Sequence, residues 1–89
     1  MSSILIIEDH MSFANAIERL LAGNPDLEIV DIVQSGEEAL KKLPELKVDL
    51  VLVDVSLPTM NGIDLVQQIR TEFPHIRCLM LSGHMTPSM

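Results

Sequence analysis

The sequence predicts an α/β domain built on a doubly wound parallel sheet. Two patterns and one limit carry that reading. Short apolar runs at Ile4 to Ile7, Leu27 to Val33, Leu50 to Val53 and Arg77 to Leu81 alternate with stretches of helical period. Parallel strands joined by helical crossovers leave that trace. Ile4 to Ile7 is apolar at every position, as a central strand covered on both faces must be. At 89 residues with 47% hydrophobic content, the chain can bury one core but not two.

Each element has a local reason. Ile4 to Ile7 is the first strand. From about Met11 to Ala22, Phe13, Ala14, Ile17, Leu20 and Leu21 recur at three- and four-residue spacing, one face of an amphipathic helix. Gly23 ends it and Asn24-Pro25 makes the turn. Leu27 to Val33 is the second strand, and Asp31 within it marks an edge with one exposed end. Ser35 caps a short helix, with Glu38 three residues on as the partner of a capping box. Ala39, Leu40 and Leu43 form its buried stripe, and Pro44 stops it. Leu50 to Val53 is the third strand. A helix follows from about Ile63 to Glu72, burying Ile63, Val66 and Ile69 and ending before Pro74. Arg77 to Leu81 is the fourth strand.

Composition narrows the function. A net charge of -7 and a pI near 4.6 argue against this segment touching nucleic acid, whose phosphates an acidic surface repels. Most of those charges need no role beyond solubility. The single Cys78 excludes an internal disulfide and a cysteine-based metal cluster. It sits in an apolar run and reads as a structural thiol. The apolar segments are too short to span a bilayer, and the N-terminus lacks a basic, signal-like start. No membrane contact and a cytoplasmic location are expected.

The chemistry gathers where strands end. Glu8 and Asp9 follow the first strand, and Asp54 follows the third. In a doubly wound sheet, ligands bind beyond the carboxyl ends of the strands, where the strand order reverses. Clustered carboxylates repel one another, and a divalent cation with hard oxygen ligands relieves that. Past Asp54 comes Val55-Ser56-Leu57-Pro58-Thr59-Met60-Asn61-Gly62, and Ser82-Gly83 closes the fourth strand. Each piece alone is ordinary. Acids at a strand end are commonly solvated, and Asn61-Gly62 alone is a turn. The ordered set is specific: acid pair, lone Asp, Pro four later, Gly eight later, hydroxyl after the fourth strand.

That set resembles the receiver domain of two-component response regulators, over about Ser3 to His84. The resemblance implies a flavodoxin-like, three-layer sheet ordered 2-1-3-4. The family's fifth strand and last two helices have no counterpart, so residues 1–89 look like an incomplete receiver domain. It implies that Asp54 is the phosphoacceptor, loaded by a sensor histidine kinase or a phosphotransfer protein. Mg2+ would be held by Asp9, Asp54 and the backbone carbonyl of Ser56, with Glu8 acting through a bound water. Ser82 would hydrogen-bond the phosphoryl group and switch on activation. Gly83 would leave room for it, and His84 would tune its lifetime. The implied role is phosphorelay signalling rather than enzymatic turnover, with an output, here transcription, outside this segment.

The sequence departs from the family where the fifth strand should bring a lysine to the phosphoryl group. Lys47, the last lysine, precedes the third strand. A receiver that acts only as an interaction module is therefore the alternative. Two other functions fit less well. A haloacid dehalogenase-type phosphatase needs a second Asp two residues after its nucleophile, and position 56 is Ser. A flavodoxin needs a phosphate-cradling loop after the first strand, where Glu8-Asp9-His10 would repel phosphate. His10, His75 and His84 show no ligand spacing and read as surface or loop-packing residues. With no fifth strand beside it, the fourth is an apolar edge, and pairing of two copies through it is expected.

Overall fold

The computed structural model describes residues 2–54, 57 and 60–81. In chain order the elements are β1 (Ser2–Ile7), α1 (Met11–Ala22), β2 (Leu27–Val33) and α2 (Gly36–Lys42), with a 3-10 turn at Leu43–Glu45. β3 (Leu50–Asp54), α3 (Gly62–Glu72) and β4 (Arg77–Leu81) complete them. The four strands form one parallel sheet in the order β2-β1-β3-β4. This is the predicted three-layer flavodoxin-like arrangement.

The strand order explains the layers. Crossovers between parallel strands are right-handed. The step from β1 to β2 runs opposite to the steps toward β3 and β4, so α1 lies on one face and α2 and α3 on the other. Along β1 the side chains alternate between these layers. Leu5 and Ile7 join Val51, Val53, Ala39, Leu65 and Ile69 in the larger core. Ile4 and Ile6 join Ala14 and Leu52 in the smaller one.

Packing decides two faces that periodicity misassigned. In α3 the buried residues are Gly62, Leu65 and Ile69, while Ile63 is 53% exposed. At about 100° per residue, Ile63 lies roughly 160° around the helix from Leu65, so one stripe cannot bury both. In α1 only Ala14 is fully buried, and Leu20 is 81% exposed. A helix is about 10 Å across and strands are about 4.8 Å apart, so one helix covers about two strands. The α1 face therefore keeps an apolar cavity of about 310 Å³ between Phe13, Ile17, Leu52, Leu79 and their neighbours.

The caps behave as local chemistry requires. The Glu38 backbone N–H donates to Ser35 Oγ at 3.1 Å. The return bond of the capping box runs from the Gln34 N–H to Glu38 Oε1 at 3.0 Å, one residue earlier than the standard partner. Gly36 lets α2 approach α3 closely. A Cβ there would stand 2.9 Å from Met60 Sδ and 3.2 Å from Leu65 Cδ2. β2 is an edge strand, as Asp31 suggested. A bulge lies opposite Ile4/Leu5, and Lys42 Nζ bonds Asp31 Oδ2 at 3.0 Å. That bond holds the Asp31 carboxyl below its ordinary range.

Candidate functional site

The site forms where β1 and β3 end side by side. Glu8 extends the β1 ladder by one bond, its N–H donating to the Val33 carbonyl at 2.9 Å. The chain then turns, and the backbone N–H of His10 donates to Glu8 Oε2 at 3.0 Å. α1 starts at the next residue, which sets its partially positive end beside the acids. Asp54 is the last residue of β3, in register with Leu81. Glu8 is 1% exposed and Asp54 0%, the two buried charged residues among those described. Asp9 lies at the surface side of the cluster.

Ligand atoms of Glu8, Asp9, His10 and Asp54 all lie within 4.8 Å of one another. At that separation and an effective dielectric near 20, each like-charged pair costs about 3 kcal/mol. Glu8 registers the strain. Burial, and then the Asp54 carboxylate beside it, push its carboxyl above the ordinary value, against the opposing His10 N–H. Glu8 Oε1 is buried with no hydrogen-bond partner among the described residues. A buried, unsatisfied carboxylate oxygen is costly unless a cation or donor meets it.

The fold thus unites Glu8, Asp9 and Asp54, which are 45 residues apart in sequence at Asp9 and Asp54. Ser56 and Ser82 fall outside the described residues, as do Pro58, Gly83 and His84. His75 lies at the opposite end of the sheet, in a cleft with Ser3, Lys47 and Asp49, which fits a surface role. His10 is the residue that spacing missed. Its Nδ1 is 3.4 Å from Glu8 Oε2 and 3.4 Å from Asp9 Oδ1. Its signal was plain adjacency to the acid pair, since the turn after β1 folds it back over Glu8. Cys78 is half-buried in β4, and burial raises its thiol, consistent with a structural role. Among the described residues, no helix is long and apolar enough to cross a membrane.

Comparison with known proteins agrees with this geometry. The family model for the response regulator receiver domain matches residues 4–89. The transcriptional regulatory protein DegU of Brevibacillus brevis is 32% identical over 81 residues, 91% of this chain and 34% of DegU. The response regulator protein VraR of Staphylococcus aureus is 37% identical over 80 residues, 90% of this chain and 38% of VraR. The chain thus spans a little over a third of the length of these curated relatives. Salmonella enterica serovar Typhimurium RcsB, solved bound to the rprA promoter in the presence of the phosphomimetic BeF3-, superposes with a TM-score of 0.89. That match covers 99% of this chain and 74% of the RcsB chain at 22% identity, a likeness of fold. With an acid cluster at the end of a 2-1-3-4 sheet and a family match over nearly its whole length, this chain belongs to the response regulator receiver domains.

Proposed function

We propose that this receiver accepts a phosphoryl group on Asp54 from a sensor histidine kinase or a phosphotransfer protein. The observation that carries this is Asp54 itself. It is fully buried at the end of β3, with ligand atoms of Glu8 and Asp9 within 4.8 Å. A carboxylate oxygen of Asp54 attacks phosphorus, the bond from phosphorus to the donor nitrogen breaks, and an acyl phosphate forms. Phosphoryl transfer of this kind depends on positioning and charge stabilisation more than on further covalent chemistry.

The donor set suits Mg2+. Carboxylates are hard oxygen ligands, and the unsatisfied Glu8 Oε1 is an atom that a hydrated cation would satisfy. Asp9, Asp54 and the backbone carbonyl of Ser56 would hold the ion, with Glu8 contacting it through water. When bound, Mg2+ offsets the charge of the carboxylate and phosphoryl oxygens together. Ser82 would donate a hydrogen bond to the phosphoryl group. The domain is a self-modifying switch rather than a turnover enzyme.

Likeness to a named transcriptional regulator supports a DNA-binding output elsewhere in the protein. The net charge of -7 supports no nucleic-acid contact by this segment. A cytoplasmic location accords with both readings. Incubation with acetyl phosphate and Mg2+, followed by borohydride trapping, should place the modification on Asp54. Labelling that survives Asp54→Asn would overturn the assignment.

A further inference from the structure

The amino end of the sheet carries the opposite charge from its carboxyl end. Three clefts open there, of about 400, 460 and 430 Å³. Shared walls chain them together. Lys47, Asp49 and His75 line the first, Asp49, His75 and Arg77 the second, and Arg77 and Arg70 the third. Three of the chain's six Lys and Arg residues therefore line one continuous surface, against one of its thirteen acids among the described residues. In a chain of net charge -7 this is a local reversal of sign.

The acid in this surface is already engaged. Asp49 Oδ2 accepts the Ser3 N–H at 3.0 Å. The Asp49 N–H donates to the Ser3 carbonyl at 2.8 Å, and the Asp49 carbonyl accepts the Arg77 N–H at 2.9 Å. These bonds tie the starts of β1, β3 and β4 into a fixed floor. The cations are not engaged. Lys47, Arg70 and Arg77 are exposed, and none of them makes an ion pair among the described residues. Glu72, two residues from Arg70, instead accepts from Gln68 Nε2 at 2.9 Å.

A row of cations along three joined clefts fits an extended anionic chain better than a compact ion, which one cleft would hold. Arginine forks match carboxylates. A nucleic acid would extend past the belt and bring its phosphates against the acids on the rest of the surface. A short acidic peptide meets the belt alone, since exposed charges more than about 8 Å away are largely screened at physiological salt. The acids elsewhere then select its orientation, because a misplaced acidic segment meets like charge. We propose that Lys47, Arg70 and Arg77, with His75 lining the clefts beside Lys47 and Arg77, form a docking groove for an acidic polypeptide segment in extended conformation. The groove lies at the far end of the strands from Asp54 and takes nothing from the phosphoryl chemistry.

The probe is a hexaglutamate peptide, titrated into the 89-residue protein at low salt and followed by backbone amide NMR. Shifts should gather at residues 46–49 and 75–78 and leave residues 8–10 unmoved. Lys47→Gln, Arg70→Gln and Arg77→Gln should each weaken binding roughly 1.5–5-fold, the scale of one exposed ion pair. Lys41→Gln removes an exposed cation on α2, outside the groove, and should change nothing. All four side chains are exposed, and unchanged amide positions away from each substitution report the intact fold. Equal weakening by Lys41→Gln, or shifts spread over the whole surface, would reduce the effect to overall charge and overturn the proposal. Inorganic phosphate giving the same shifts at the same concentration would make this a small-anion site and overturn it too. So would duplex DNA or phosphatidylserine vesicles that bind through these residues more tightly than the peptide.

Discussion

Removing the charge of Asp54 should stabilise this protein when no divalent cation is present. Asp54 is fully buried, and its carboxylate lies within 4.8 Å of ligand atoms of Glu8 and Asp9. Each full like-charged pair at that distance costs about 3 kcal/mol at an effective dielectric near 20. Two effects reduce the sum. The Glu8 carboxyl is raised and so carries less than a full charge near its pKa. Asp9 is partly solvated. Asp54→Asn keeps the side-chain volume, so no cavity offsets the gain. We expect about 2 kcal/mol, which for a domain of this size raises Tm by roughly 8–16 °C. Thermal melts followed by circular dichroism in EDTA measure it directly. With Asp54 as the proposed Mg2+ ligand, saturating Mg2+ should narrow the difference, because it would stabilise the parent chain by mass action more than the variant. An Asp54→Asn variant melting at or below the parent temperature in EDTA would refute the repulsion argument.

Glu8 should give stability a pH dependence of the opposite sign to an ordinary salt-bridged acid. Its folded carboxyl is raised above 4.5, so between 4.5 and its raised value the folded state binds more protons than the unfolded. Stability in EDTA therefore falls as pH rises through that window, a slope that Glu8→Gln should flatten in urea titrations. Asp31 acts in a different range. Its carboxyl is lowered from 3.8 by Lys42, so its contribution is present above 3.8 and is lost only as pH falls below it. Leu65→Ala should cost about 2–5 kcal/mol in urea denaturation, because Leu65 is fully buried between the sheet and α2. A cost under 1 kcal/mol would mean the site collapses around the smaller residue. Among the described residues β4 is an edge strand with Leu79 54% and Met80 36% exposed. The 89-residue chain should self-associate at micromolar concentration in sedimentation equilibrium, and Leu79→Lys should oppose this. A monomer throughout would refute it.

What the sequence alone determined was local. The bounds of α1, β2 and β4 follow from side-chain period, which the backbone geometry of each element imposes without reference to the rest. The acids were legible because a strand end is a sequence position, and the parallel order of β1 and β3 brings any two such ends together. The Ser35 cap was legible for the same reason, since its donor lies three residues away. Tertiary structure decided everything that depends on who packs where. Ile63 and Leu65 are equally apolar, and only docking of α3 against the larger core chose between them. Phe13 and Leu20 have helical period, yet a single helix cannot cover four strands, so they border an open cavity. The raised carboxyl of Glu8 needed its burial and the arrival of Asp54 from another strand. His10 carries no ligand spacing, and joins the acid cluster only because the turn after β1 bends its backbone N–H onto Glu8. Period is a property of one segment, whereas burial and proximity belong to pairs of segments that only the fold brings together.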